Sequence, residues 1–398
     1  MAEYTIRKSV AAMEEYSVES VAADIIVNAN ESNYPLPEPI AQAVGQCAAQ
    51  FPFNRYPPLK SESLSQVIAE ELGVGPECVC IGNGSSELLQ VVCYAFGGAG
   101  KRIAIPYPSF SMYGEYVVLA DSEPITYPLN TEGYVDPEAV IKFCAEEKPD
   151  LLIICNPNNP TGNYNSLANM EKILANVDCP VIMDEAYMEF ADGKEVDPKD
   201  LRPLNKLWLV AGSTLSLLNK YHNFMVFRTF SKAYGLAGLR CGYGVGASAL
   251  MRQLGKALLP YHVNAFTLMV AKAVYENKEM YKERLGLIRQ ERDKMAAYLK
   301  ELGFKVWPSA TNFLMLRPEG KLADSLTAYY GKNYTPALKP QVAAGKAVFK
   351  YLLSKSILVR DFTGHPVLTG GLRITVGLPE ENKIILATIT QLCTEAKL

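Results

Sequence analysis

Residues 228–244 read RTFSKAYGLAGLRCGYG, with one lysine, Lys232, between the apolar run Phe224, Met225, Val226, Phe227 and a glycine-rich turn. Ser231 precedes the lysine, Thr229 lies three residues before it and Arg240 eight residues after it. A buried lysine is costly unless its charge is paired or removed. Hydroxyls, backbone amides and a guanidinium around such a lysine form the pattern of a Schiff-base lysine beside a phosphate site. That pattern points to pyridoxal phosphate.

The run before Lys232 is one of six short apolar or β-branched segments, the others being Val79–Ile81, Arg102–Ile105, Leu151–Cys155, Val181–Met183 and Gly242–Val245. Helical patterns separate several of them, as in Glu87–Phe96 and Leu167–Asn176. Runs apolar on both faces predict buried parallel strands, and repeated strand–helix units predict an α/β sheet covered on both sides. This large domain is expected over residues 50–265. From Phe266 the pattern changes to long helices as far as Leu302, strand candidates Asn312–Leu316 and Leu372–Val376, and a last helix from Glu381. A smaller α+β domain is therefore expected over 266–398. Residues 1–49, with Pro35, Pro37 and Pro39, are expected to form an arm that packs on it as part of the small domain.

With 398 residues the chain exceeds one ordinary core, so two domains are expected. A net charge of −3 gives no nucleic-acid or membrane signal. The nine cysteines lie mostly in apolar runs, and Cys78 and Cys80 have neither zinc spacing nor a matching pair. They read as reduced thiols of a cytoplasmic protein, with no metal expected. The N-terminus has no apolar signal-peptide core, and no stretch reaches the ~20 apolar residues of a membrane span.

Active sites of α/β sheets lie at the carboxyl ends of strands, and four polar clusters follow apolar runs in that way. The first is GNGSSE at 82–87. Glycines before Ser85 and Ser86 at a helix start offer unpaired amides to an anion, though a glycine turn with a serine cap reads the same. The second, NPNNPTG at 156–162, is a tight turn able to hold Asn159 toward a ligand, or a plain loop. In the third, Asp184 and Tyr187 of DEAY end a buried strand. There the acid could bind a metal, cap a helix or hold a protonated ring nitrogen. Lys232 belongs to the fourth. Together the clusters supply what pyridoxal-phosphate catalysis needs: a lysine imine, an acid on the ring nitrogen and a phosphate anchor.

With these clusters in order, the chain resembles the fold-type I aminotransferases, specifically the histidinol-phosphate aminotransferase family. NANES (28–32), NRYP (54–57), CNPNNPTG (155–162), DEAYMEF (184–190), LPYHVN (259–264), ILVRDF (357–362) and LRITVG (372–377) extend the likeness through most of the chain. The resemblance implies a large domain with a mostly parallel seven-stranded sheet, and pyridoxal 5'-phosphate as cofactor. It implies that Lys232 carries the Schiff base and moves the substrate proton, and that Asp184 keeps the ring nitrogen protonated. Asn159 and Tyr187 would bond the phenolic oxygen. Ser231, Arg240, Thr229 and the amides near Ser85 and Ser86 would hold the phosphate. Phe110 would stack on the ring where the family usually has tyrosine. Tyr56 would reach the cofactor phosphate of a neighbouring subunit, implying a homodimer with shared active sites.

The same likeness implies substrate roles. Arg373 would grip the carboxylate of glutamate or 2-oxoglutarate through a bidentate pair. Arg360 and Tyr16 would meet the distal phosphate of an amino-phosphate substrate, with Asn30 of NANES also on the substrate side. Arg360 also reads as a structural ion pair, and Tyr16 as an ordinary packed tyrosine. The implied reaction is ping-pong amino transfer from histidinol phosphate to 2-oxoglutarate. Rival readings are an aminotransferase for aromatic or other amino acids and a decarboxylase resembling threonine-phosphate decarboxylase. A non-enzymatic regulator lacks the DNA-binding module it would need. Stretches 193–223 and 322–350 look longer than the family's, the second reading as a surface insertion. His262 and the NESNYPLP segment (30–37) depart from the family pattern on the expected substrate side.

Overall fold

The protein is described by a computed structural model over residues 6–15, 21–59, 61–191 and 212–396. Its strands among these are β1 (Ile25–Val27), β2 (Val79–Gly82), β3 (Arg102–Tyr107), β4 (Glu123–Pro128), β5 (Leu151–Cys155), β6 (Val181–Asp184), β7 (Phe224–Thr229) and β8 (Gly242–Gly246), followed by β9 (Phe304–Val306), β10 (Phe313–Pro318), β11 (Ile357–Phe362) and β12 (Gly371–Thr375). A seven-stranded sheet runs β2-β8-β7-β6-β5-β3-β4, and a five-stranded sheet runs β1-β11-β12-β10-β9.

The central strands are apolar on both faces because both faces are covered. Every residue of β5 and β7 is buried. Alternation along the strand sends Leu152, Ile154, Val181, Met183, Phe224 and Val226 into one apolar cluster. It sends Leu151, Ile153, Ile182, Met225 and Phe227 into the other. The larger sheet is mostly parallel, with one exception among the runs expected to be parallel. β8 lies antiparallel to both β2 and β7. Residues 230–241 carry only the one-turn helix Ala237–Leu239, too little for the crossover that a parallel neighbour requires. The edge strand β4 has no strand-like run: Glu123–Pro128 contains two prolines and alternates exposed with buried positions. An edge tolerates proline because one side of the strand needs no ladder hydrogen bond.

The small sheet draws on both ends of the chain. β1 pairs parallel with β11, Ile25 opposite Ile357, while β11, β12, β10 and β9 pair antiparallel. Residues 322–350, expected as a surface insertion, instead span two packed helices, Gly320–Asn333 and Pro340–Ser354, and the turn between them. The second buries Ala343, Ala347, Val348 and Leu352, a regular apolar stripe that sits in the core. Of the other long stretch, 193–211 falls outside the described residues. In its described part, Ser213 and Thr214 are tied to Glu185 beneath the larger sheet's carboxyl edge. No helix among the described residues is long and apolar enough to cross a membrane.

Candidate active site

β5, β6 and β7 end side by side, with Cys155 opposite Asp184 and Asp184 opposite Phe227. The residues just beyond these ends and the small sheet together line a cavity of about 560 Å³. Asp184, the last residue of β6, is buried. Its Oδ2 accepts from the Tyr113 hydroxyl at 2.6 Å and its Oδ1 from the Ala186 amide at 3.1 Å. Burial raises its pKa to about 6, Glu185 adding to the rise and the two donors opposing it.

Lys232 follows β7, and its Nζ donates to the Ala29 carbonyl at 3.0 Å. Part of the side chain faces the cavity, but the protein around the ammonium strips its hydration. Desolvation, then the charges of Arg373 and Arg240, lower its pKa to about 8, with Glu31 opposing. A useful fraction of the amine is therefore neutral near pH 8.

Beside the lysine lies a cradle for an anion. The helix Ser85–Phe96 starts here, after Gly84 at φ +82. A Cβ on Gly84 would stand 2.6 Å from Arg240 Nη2, and one on Gly242 would run into the Ser85 amide. Only glycine leaves that space open. Arg240 Nη1 donates to Ala237 O at 2.9 Å and to Ser231 Oγ at 3.4 Å. The Ser231 amide donates to Thr229 Oγ1 at 3.1 Å. Ser86 hydrogen-bonds the Tyr116 phenol. Hydroxyls, helix amides and a guanidinium thus converge as a phosphate monoester would need.

The opposite wall is a linked set of polar groups. Arg373 Nη1 donates to Asn159 Oδ1 at 2.6 Å, and its Nη2 to Asn28 O at 2.8 Å. Asn30 Nδ2 donates to the Tyr187 hydroxyl at 2.9 Å, and burial pushes that phenol up to about 12. Phe110 stands edge-on to Tyr113, with ring centroids 5.5 Å apart. Arg360 lies opposite Arg373 in the β11–β12 register, and both line the cavity.

The cavity wall therefore includes all the residues singled out from the sequence except Tyr56 and Tyr16. Tyr56 stacks on Tyr261 at the surface, outside the cavity wall, with ring centroids 4.7 Å apart. Tyr16 lies outside the described residues. His262 is not on the substrate side: its ring nitrogens face Leu259 O and Ile81 O. Of NESNYPLP, only Asn30 and Glu31 reach the cavity. Sequence reasoning missed Tyr113, which lies in the helix Met112–Leu119 just after Phe110. It also missed His365, which no motif marks. The buried Arg228, between Glu185 and Glu189, was in plain view within RTFSK and DEAYMEF.

An amine partly neutral near pH 8, a buried carboxylate and a glycine-opened anion cradle fit a phosphorylated pyridine aldehyde. Known proteins agree. The profile of the family described as aminotransferase class I and II matches residues 24–389. The histidinol-phosphate aminotransferase of Thermoanaerobacter pseudethanolicus is 32% identical over 393 residues, covering 98% of this chain and 99% of that one. Among solved structures, the histidinol-phosphate aminotransferase of Sinorhizobium meliloti, in complex with pyridoxal-5'-phosphate, superposes with TM-score 0.81. It is 21% identical and covers 99% of each chain. The L-threonine-O-3-phosphate decarboxylase of Porphyromonas gingivalis has TM-score 0.71 and 21% identity, over 93% of this chain and 99% of its own. At such identity these two structures establish the fold alone.

Proposed function

We infer the substrates from what this chain is: it belongs to the class I and II aminotransferases, within them to the histidinol-phosphate aminotransferase family, and is a pyridoxal-phosphate-dependent transaminase of fold type I. The amino group moves between histidinol phosphate and 2-oxoglutarate, with glutamate as the other amino compound, by a ping-pong sequence. The observation that carries this reading is the pair Arg373 and Arg360, side by side on adjacent strands of one cavity wall. Arg373 takes the carboxylate of glutamate or 2-oxoglutarate. Arg360, with Tyr16, takes the distal phosphate of the other substrate.

When bound, the cofactor supplies an electron sink for the pair left on the substrate's Cα. The neutral amine of Lys232 takes the proton from that Cα. Asp184, supported by Tyr113 and the Ala186 amide, holds a proton at the ring nitrogen. Asn159 and Tyr187 hydrogen-bond the phenolic oxygen, Asn30 orienting Tyr187. The amides at Ser85 and Ser86, with Thr229, Ser231 and Arg240, hold the phosphate, and Phe110 covers the ring. Tyr56 of a second copy completes the cradle in a homodimer. The division into 1–49, 50–265 and 266–398, and a cytoplasmic location, belong to the same reading.

The test is amino transfer to 2-oxoglutarate by purified protein, comparing histidinol phosphate with phenylalanine and tyrosine as donors. Histidinol phosphate should be preferred. Brisk turnover of an aromatic donor with none of histidinol phosphate would sink the substrate. Release of carbon dioxide without 2-oxoglutarate would favour the decarboxylase chemistry that shares this fold.

A further inference from the structure

Beyond β11 the chain turns back to β12 through residues 363–370, and this loop holds His365 against the cavity that Arg360 and Phe362 line. The ring is held from three sides. Its Nδ1 accepts the backbone amides of Val367 and Leu368, each at 3.2 Å. Tyr107, at the end of β3, stacks on it with centroids 5.6 Å apart and planes 26° apart. Phe362 lies 6.0 Å away. A ring nitrogen that accepts two N–H groups carries no proton, so the neutral ring bears its proton on Nε2. The loop amides oppose a proton on Nδ1. Burial acts in the same direction and lowers the imidazole's pKa.

We propose that His365, which lines the same cavity as Arg360, is a specificity-determining residue whose Nε2–H hydrogen-bonds the phosphate of the amino-phosphate substrate. This rests on the functional reading above. A carboxylate presents two oxygens, which one arginine fork can engage. A phosphate ester presents three, leaving one for a neutral donor. His365 therefore favours phosphate over carboxylate without adding charge to a cavity already lined by Arg240, Arg360 and Arg373. The stack on Tyr107 joins a loop of the small sheet to a strand of the large one, so the donor's place depends on how the two sheets meet.

The experiment compares kcat/KM for histidinol phosphate and for histidinol in the pyridoxal-phosphate-loaded enzyme and in three variants. His365→Phe keeps the stack but removes both nitrogens. His365→Asn keeps an acceptor for the loop amides but lacks the distal donor, and His365→Gln restores a donor near the Nε2 position. Loss of one hydrogen bond to a charged group should cut the preference for the phosphorylated compound about tenfold in the Phe and Asn variants, acting through KM, with Gln recovering most of it. A normal preference in His365→Asn would mean that the ring only caps its loop, and would overturn the proposal. Nitrogen-detected imidazole spectra of the enzyme without substrate give a second reading, practical with three histidines in the chain. They should show His365 protonated on Nε2 alone, and a proton on Nδ1 at neutral pH would equally overturn it. Unaltered enzyme that ignores histidinol phosphate would overturn the functional reading and this inference with it. Enzyme that uses the compound, with an unchanged preference in His365→Phe, would overturn the inference alone.

Discussion

The proton balance of the site turns on Tyr113, whose fully buried hydroxyl reaches Asp184 Oδ2 at 2.6 Å. Burial alone would leave Asp184 largely protonated, and a protonated acid cannot hold a proton on a ring nitrogen. The Tyr113 donor stabilises the ionised carboxylate and so lowers a pKa that still sits at about 6. Tyr113→Phe removes the donor with almost no change of shape. The Asp184 pKa should then rise by about one unit, the equivalent of one buried hydrogen bond. At pH 7 less of the carboxylate is ionised, so the apoprotein should bind pyridoxal phosphate more weakly than the unaltered protein. At pH 8 and above the two should converge. Fluorescence titration of apoprotein across pH 6 to 8.5 measures this, and an unchanged affinity at pH 6.5 would show that Tyr113 only fills space.

An ionic network beneath the cavity ties together the ends of β6, which carries Asp184, and β7, which leads to Lys232. Arg228 of β7 donates to Glu185 Oε2 at 3.0 Å, to Glu189 Oε1 at 2.9 Å and to Ser213 Oγ at 2.9 Å. Thr214 caps the other Glu185 oxygen through its amide at 2.8 Å and its hydroxyl at 2.7 Å. Arg228→Leu would leave two buried carboxylates without their cation, costing about 3–5 kcal/mol. The urea midpoint should fall clearly, and Arg228→Lys, which lacks the fork, should recover only part of it. An unchanged midpoint would mean that the carboxylates are held without Arg228. The parts legible in the sequence were those written locally. Leu151–Cys155 and Phe224–Phe227 announced buried strands by being apolar at every position, and the polar residues after them marked the cavity. β4 was hidden by its prolines. The partners of Tyr113 and Arg228 lie 71 and 43 residues away in sequence; periodicity gives a side chain's face but not the strand that it meets. His365 carries no local signal, since its role depends on Tyr107 from the other sheet.

At the scale of the molecule, one surface does not suit a lone chain. Tyr56 is 83% exposed and Leu259 72% exposed, with Phe53, Leu59 and Tyr261 also outside the core. Tyr56 stacks on Tyr261, and Phe53 packs against Phe51 and Phe266, so segments 51–59 and 259–266 form one outward aromatic face. Apolar faces of this kind mark association surfaces. A second copy covering this face would remove its aromatic surface from water and bring Tyr56 toward a neighbouring anion cradle, where it can donate to a phosphate. Light scattering should therefore give twice the 43.8 kDa chain mass. Tyr56→Phe keeps the apolar contact and loses the hydroxyl, so the dimer should persist. Its hold on pyridoxal phosphate should weaken about tenfold if the hydroxyl meets a charged oxygen. The cofactor's dissociation rate, followed by visible absorbance after dilution, reads this directly. A fully active monomer would refute the shared site, and a dimeric Tyr56→Phe with unaltered cofactor retention would keep the association while removing Tyr56 from the cradle.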